Sequence, residues 1–403
     1  MPRGREWPPR WLSRLVEAAG CRALEKAVYM DPLTAGDVAR LLVEAPFHAL
    51  SAAADAAARM VKMGVGSYTV NAYVAYSNVC VTACSFCSFY RPRGHREAYT
   101  LSPGEAAGLV ARLHRRHMLR EVHIVGGNNP DLPLEYYTGL VRAVAEAAPG
   151  AVVKAFTAEE IDFISRTHRV SIRELLLRLR GAGLSALTGG GAEILSPRVH
   201  RLLAPRKTPP ERWLRVHEEA HRLGIRSNAT IVYGHVEEPP EVGEHLVSLR
   251  RLQERTGGFV SLILVRYNPL GNPLGRSRLY RGSANTSGVY DLRLTAAARL
   301  ALLGAIDNIV AYWVSMGPQL AEAALAHGAN DLGGTFYMEN VVTPARTGER
   351  RTQGRRPEEL ALALLEAGWR PAERDTFYNY YPPRLPAATH QPWLLEEAGG
   401  AAP

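Results

Sequence analysis

Residues 68–90 read YTVNAYVAYSNVCVTACSFCSFY, a strand-like alternation that runs straight into three cysteines. Tyr68 to Tyr76 alternates and is rich in β-branched and aromatic side chains, the composition of a pleated strand. Behind it Cys80, Cys84 and Cys87 stand in the spacing C-x3-C-x2-C, while the fourth cysteine, Cys21, is remote. Three cysteines suit neither paired disulfides nor a closed four-cysteine zinc site. Three thiolates at this spacing can hold three corners of a [4Fe–4S] cube and leave the fourth iron open to a non-protein ligand. The plainer alternatives are three buried cysteines or a zinc ion completed by a distant histidine.

Outward from the cysteines, strand-like and helix-like segments alternate. Strands are expected at 68–76, 120–125, 151–156, 184–187, 226–233, 259–267, 308–314 and 330–336. Helices are expected between them at 102–118, 133–148, 159–182 in two pieces, 209–223, 239–256, 292–305 and 317–327, with a last one at 358–368. Upstream, 8–28, 34–45 and 47–63 read as amphipathic helices, the second capped by Thr34 with Asp37 three residues on. Eight strands in a βα rhythm predict an α/β fold with a parallel (β/α) barrel, its active-site groups at the C-terminal strand ends. An open doubly wound sheet is the competing arrangement. The expected organisation is an N-terminal helical extension (1–66), the barrel (67–342) and a C-terminal helical extension (343–403), with 268–291 and 343–357 as loops.

Composition supports a folded, soluble chain: 403 residues, 46% hydrophobic and 22% charged, with Gly and Pro spread rather than repeated, exclude collagen, coiled coil and bulk disorder. No uncharged apolar run is long enough to span a bilayer, and the N-terminus lacks a signal-type apolar stretch, so no membrane association and a cytoplasmic location are expected. The net charge of +9 comes with arginines spread beside glutamates on helical patterns, which reads as a solvated, ion-paired surface rather than a nucleic-acid footprint.

With its aromatic Phe86 before the last cysteine, the cysteine motif resembles that of the radical S-adenosylmethionine (radical SAM) superfamily. The resemblance implies a TIM-type barrel, a [4Fe–4S] cluster held by Cys80, Cys84 and Cys87, and SAM on the open iron. It also implies an external low-potential electron donor. Further segments, KAFTAEEIDF at 154–163, LTGGGAEIL at 187–195, the run 204–237, AYWVSMGP at 311–318 and GANDLGGTF at 328–336, resemble the menaquinone-biosynthetic members of the futalosine pathway from about residue 30 to 380. KAFTAEEI, NATIVYGHVE and AYWV are most like aminofutalosine synthases, which join the 5′-deoxyadenosyl group of SAM to 3-[(1-carboxyvinyl)oxy]benzoate, a small anionic aromatic substrate, with loss of CO2. CSFCSFYRP, GGNNPDLP and GANDLGGT are also like the cyclic dehypoxanthine futalosine synthases. A further relative, the F420 chromophore synthase subunit, is a poorer fit to GGGAEI. Gly126-Gly127-Asn128-Asn129-Pro130 departs from the Gly-Gly-Leu-His-Pro of the aminofutalosine type, so a histidine is missing there.

Candidate site residues follow the strand ends. Gly126 and Gly127 let backbone approach a ligand, and the resemblance sets them against the SAM amino group. Glu193 follows three glycines and can accept from a ribose diol or cap a helix. Thr157, Glu159 and Glu160 either face the pocket or cap the next helix, with Thr157 taken as cofactor-binding. Asn228, Tyr233 and His235 belong to the fifth barrel strand and its exit, His235 offering a protonatable imidazole to the substrate. Arg266 ends the sixth, placed to hold a carboxylate bidentately. Tyr312 and Trp313 on the seventh stack on a ring or fill the core. Asn330 and Asp331 lie in the segment that closes the barrel, and Cys21 reads as an inert buried thiol.

Overall fold

The computed structural model describes residues 7–280, 287–350 and 352–385. Parts of the expected loop 268–291 and of both extensions therefore lie outside the described residues.

The first strand is split by Val70 into β1 (Val65–Thr69) and β2 (Asn71–Ala75). The others are β3 (Glu121–Val125), β4 (Val152–Ala155), β5 (Ala186–Leu187), β6 (Arg226–Tyr233), β7 (Phe259–Arg266), β8 (Ile309–Ala311), β9 (Asp331–Gly334), β10 (Arg370–Arg374) and β11 (Tyr380–Tyr381). From β2 to β9 each strand pairs in parallel with the next, and β9 pairs with β1. Beyond β9 the chain continues along β2, where the Tyr73 N–H donates to the Tyr337 carbonyl at 2.8 Å. The eight parallel positions thus return on themselves as a barrel, and the open-sheet alternative is set aside.

Near-continuous apolar runs such as Phe259–Arg266 suit strands covered on both sides, as a barrel ringed by helices requires. The helices are cut where the sequence punctuates them. Ser102 and Thr157 each open a capping box, as Thr34 does with Asp37. Gly20 in the left-handed region ends the first helix, so the expected single helix 8–28 is two, Arg10–Ala19 and Arg22–Val28. The N-terminal helices clasp the barrel: the Arg293 guanidinium donates to the carbonyls of Leu42 and Ala45, both at 2.7 Å, satisfying orphan carbonyls in the last turn of the helix Ala35–Val43 and just past it.

Two expectations are corrected. The C-terminal extension is not simply helical: after the helix Pro357–Glu366 the chain adds β10, parallel to β1, and then β11. β10 occupies the lower half of the first strand's edge, the half that β3 leaves free because β3 pairs only with β2. The seventh barrel strand ends at Ala311, and Tyr312 caps a short helix beginning at Trp313. Trp313 is a packing residue, its indole N–H donating to the Gly334 carbonyl at 2.8 Å. Short helices also form at Pro197–Leu203, between the expected elements, and at Thr343–Thr347, inside the expected loop 343–357.

Candidate active site

A cavity of about 320 Å3 runs down the barrel from the cysteine loop. Cys80, Cys84, Cys87, Gly126, Gly127, Thr157, Glu193, Asn228, Arg266 and Tyr312 all line it. His235 does not. It lies outside the lining, just past the end of β6, its side chain fully buried, with Nδ1 2.9 Å from Glu237.

The cysteine loop is fixed from several sides. The Cys80 N–H donates to the Arg91 carbonyl at 3.1 Å, Val81 N–H to the Asn128 carbonyl at 3.1 Å, and Ser85 N–H to the Leu203 carbonyl at 2.9 Å. Gly127 makes the second of these approaches possible, that of the cysteine loop to the glycine loop. A Cβ there would stand 2.3 Å from the Val79 carbonyl oxygen and 2.9 Å from the Cys80 Cβ, and one on Gly126 would meet the Tyr76 ring at 2.6 Å. The close approach expected of the two glycines is therefore made, at least in part, to the protein's own chain.

Glu159, buried, ties three loops into one rim. Its carboxylate accepts from the Asn128 amide at 2.7 Å, the Thr82 hydroxyl at 3.3 Å and the Thr208 N–H at 2.6 Å. Thr157 caps its helix, its hydroxyl accepting the Glu160 N–H at 3.1 Å. Glu160 in turn accepts from the Tyr76 hydroxyl and the Gly126 N–H, both at 2.9 Å. Burial pushes its carboxyl from the ordinary 4.5 up to about 7 against the pull of these donors. A raised carboxyl contributes most to stability below its unfolded pKa and loses that contribution as pH rises through the folded one. Relative to Glu160→Gln, the wild-type chain is expected to lose on the order of 3 kcal/mol of unfolding free energy between pH 5 and pH 8, read from urea midpoints. Parallel profiles of the two proteins would refute this.

Glu193 takes a left-handed backbone, φ 55°, and its carboxylate pairs with Lys207. Burial opposes the lysine's charge, but Glu193 keeps its pKa raised, and the ammonium sits 5.2 Å from the Phe86 ring centre beside Cys84. Sequence reading passed over Lys207, although it lies in the quoted run 204–237. Asn128 faces the cavity through the Thr82–Glu159 contact, whereas Asn129 turns to Thr100 at 3.2 Å, off the lining. The position where the resemblance leads one to expect a histidine thus does not reach the cavity.

At the far wall, the Arg266 guanidinium lies 3.7 Å from Asp291, which also accepts from the Tyr233 hydroxyl at 2.5 Å. The Asn228 amide donates to the Ser261 hydroxyl at 2.6 Å and leaves its buried carbonyl oxygen without a partner among the described residues.

The three thiols are free of disulfides, and burial pushes those of Cys84 and Cys87 upward. Such thiols ionise when a metal takes their protons' place, and the neighbouring Lys207 favours the thiolate at both. Among the described residues no three Cys, His, Asp or Glu side chains converge as a single metal ion requires. In a cube each thiolate binds its own iron and no such convergence is needed, so the donor set fits a cluster.

Barrel, cysteine loop and cavity define a radical SAM enzyme, and the chain belongs to that superfamily. Its family model, "Radical SAM superfamily", matches residues 74–249, and the model "CofH/MqnC C-terminal region" matches 256–386. The chain is 41% identical over 319 residues to the aminodeoxyfutalosine synthase of Thermus thermophilus, covering 79% of this chain and 84% of the relative. It is 36% identical over 360 residues to 5-amino-6-(D-ribitylamino)uracil–L-tyrosine 4-hydroxyphenyl transferase 2 of Methanosarcina barkeri, covering 89% and 91%. In fold it is similar to the [FeFe]-hydrogenase maturase HydG from Carboxydothermus hydrogenoformans, with TM-score 0.68, 18% identity and coverage of 91% of this chain and 83% of that one. Enzymes of the superfamily use a [4Fe–4S] cluster and SAM, and need a reductant. No helix among the described residues is long and apolar enough to cross a membrane.

Proposed function

We propose that the chain is an aminodeoxyfutalosine synthase, joining the 5′-deoxyadenosyl group of SAM to 3-[(1-carboxyvinyl)oxy]benzoate with loss of CO2. The observation that carries this is the 41% identity to a synthase of that activity along most of both chains. Three separate elements of the barrel agree with it, in KAFTAEEI, NATIVYGHVE and AYWV.

Cys80, Cys84 and Cys87 would hold the cluster, which when bound supplies the electron that cleaves the C5′–S bond of SAM. Everything else is positioning and exclusion of water. Glu159 locks the cysteine loop to the glycine loop and to the segment carrying Lys207, so the rim around SAM moves as one piece. Lys207, neutralised by Glu193, closes the side of the loop beside Phe86. Arg266 offers a guanidinium to a substrate carboxylate, with Asp291 orienting it. The electron donor is an external low-potential carrier, and the exposed arginines 93, 96, 201 and 206 near the cysteine loop suit an acidic one.

Arg266→Ala is expected to raise the KM for the aromatic acid while SAM's KM stays near its wild-type value. A lost buried carboxylate pairing costs roughly 2–4 kcal/mol. Arg266→Lys should recover part of it. Equal effects on both ligands would return Arg266 to a purely structural role.

The assignment is tested by the fate of the adenosyl group. Reduced enzyme and SAM are offered the carboxyvinyl-oxybenzoate, dehypoxanthine futalosine, or tyrosine with ribitylaminouracil, and the products are weighed. Adenine covalently retained in the product of the first acid, with CO2 released, supports the reading. A cyclised product from the second, or a hydroxyphenyl transfer from the third, replaces it.

A further inference from the structure

Three neighbouring strands set polar side chains side by side inside the barrel. Tyr73 on β2 pairs with His123 on β3, and His123 with Lys154 on β4. Partners in parallel register point to the same face, and all three line the cavity. The Tyr73 and His123 rings stack with centroids 4.6 Å apart, and the Lys154 ammonium lies 2.8 Å from Glu121.

What these groups lack is as informative as what they touch. Among the described residues neither the ring nitrogens of His123 nor the Tyr73 hydroxyl has a hydrogen-bond partner, and the Lys154 ammonium meets only Glu121. Polar groups inside a protein are normally satisfied, so two without a partner among the described residues, beside an ammonium with one, facing one cavity call for a ligand. The hydrogens these groups present say which kind. The Lys154 ammonium, paired on one side with Glu121, the His123 imidazole and the Tyr73 hydroxyl are all able to donate into the cavity, and Arg374, paired with Asp331, lines it close by, so the layer suits an acceptor such as a carboxylate. Glu121 does not repel an incoming anion unaided, because Lys154, Asn71 and the Thr376 hydroxyl already hold its oxygens. Burial, with help from Lys154, lowers the His123 pKa to about 3, so its imidazole is neutral, with one N–H to donate.

We propose that Tyr73, His123 and Lys154 form the subsite that receives the ring carboxylate of the aromatic acid at the end of the cavity remote from the cysteine loop. The proposal rests on the substrate class given above. The layer lies at the third residue of each strand, two residues short of the end of β2, or roughly 7 Å below the strand end from which the cysteine loop departs. A substrate whose reacting vinyl group must sit near SAM therefore points its ring downward, toward this layer. Arg266, at the C-terminal end of β7, takes the other carboxylate.

The test uses reconstituted holoenzyme with SAM and two simple probes, benzoate and phenol, titrated calorimetrically. Benzoate is expected to bind the wild type at millimolar concentrations or below and to weaken about 100-fold in Lys154→Met, the scale for a buried charge pairing. His123→Phe should weaken it about 10-fold, and His123→Asn, which keeps a donor, should restore most of the binding. Phenol and SAM affinities should stay level across the series, which a general collapse of the barrel would not allow. The proposal is overturned if wild-type enzyme fails to prefer benzoate over phenol, or if Lys154→Met and His123→Phe bind benzoate as the wild type does. Benzoate capture that behaves as expected while the carboxyvinyl acid gives no adenosylated product sustains the anion subsite and sinks the proposed reaction. Product formation with benzoate binding indifferent to these variants does the reverse.

Discussion

Alanine in place of Cys80, Cys84 or Cys87 is expected to abolish reductive SAM cleavage, a loss beyond about 1,000-fold, and to take the cluster with it. Cys21→Ala should leave both intact. Each of the three thiols lines the cavity, whereas Cys21 precedes the helix Arg22–Val28 in the N-terminal extension and lies outside the lining. That thiol is half-buried, more open than the sequence suggested. Because the cysteine loop is hydrogen-bonded to Arg91, Asn128 and Leu203, losing one thiolate does not let a neighbour move into its place. Iron and sulfide per chain, together with the consumption of SAM under reductant, read the result. About four of each are expected in the wild type and in Cys21→Ala. Cluster loss in Cys21→Ala would remove the open iron on which the reading of the motif depends.

Arg374→Met should destabilise the fold by about 3–5 kcal/mol, the cost of stranding a buried charge. Arg374 donates to both oxygens of Asp331, at 2.5 and 2.8 Å, and both side chains are buried. The pair joins the end of β10 to the start of β9, so it fastens the added strand to the barrel floor. Ser67 and the Gly333 N–H also donate to Asp331 and cushion part of the loss. Adding Asp331→Asn removes the stranded charge, and the double variant should therefore be more stable than Arg374→Met alone in urea. Simple additivity of the two substitutions would show that the ion pair is not what holds β10 in place.

Much of this architecture was legible because it is written locally. The cysteine spacing, the alternation in Tyr68–Tyr76 and the caps at Thr34, Ser102 and Thr157 each depend on a handful of adjacent residues. Strand β10 was not legible, since Arg370 finds its partner Val65 across most of the chain and its own segment carries Arg, Pro and Glu. Lys207 reads as an ordinary loop cation, and only the fold brings it to Glu193 and Phe86. Tyr312 and Trp313 were misplaced because aromatic residues suit a strand and the first turn of a buried helix equally well. For the polar layer a signal did exist. Tyr73, His123, Lys154, Asn228 and Ser261 are each the third residue of their strands, an offset that repeats where a barrel floor repeats. His235 looked functional from its place at a strand end, and the chain's turn at Gly234 directs it into a buried pair with Glu237 instead.

The split first strand also governs how the molecule can be made. On a ribosome β1 emerges early, yet Arg370, its register partner on β10, follows 305 residues after Val65. At roughly 5–20 residues per second that is an interval of about 15–60 s in which this edge of the nascent sheet stands unpaired. Such an edge is a template for pairing with other chains, and contacts of this sequence separation form slowly. The helices from Arg10 to Lys62 are synthesised before any strand, and they are the cover the growing chain has at hand while it waits for its last staves.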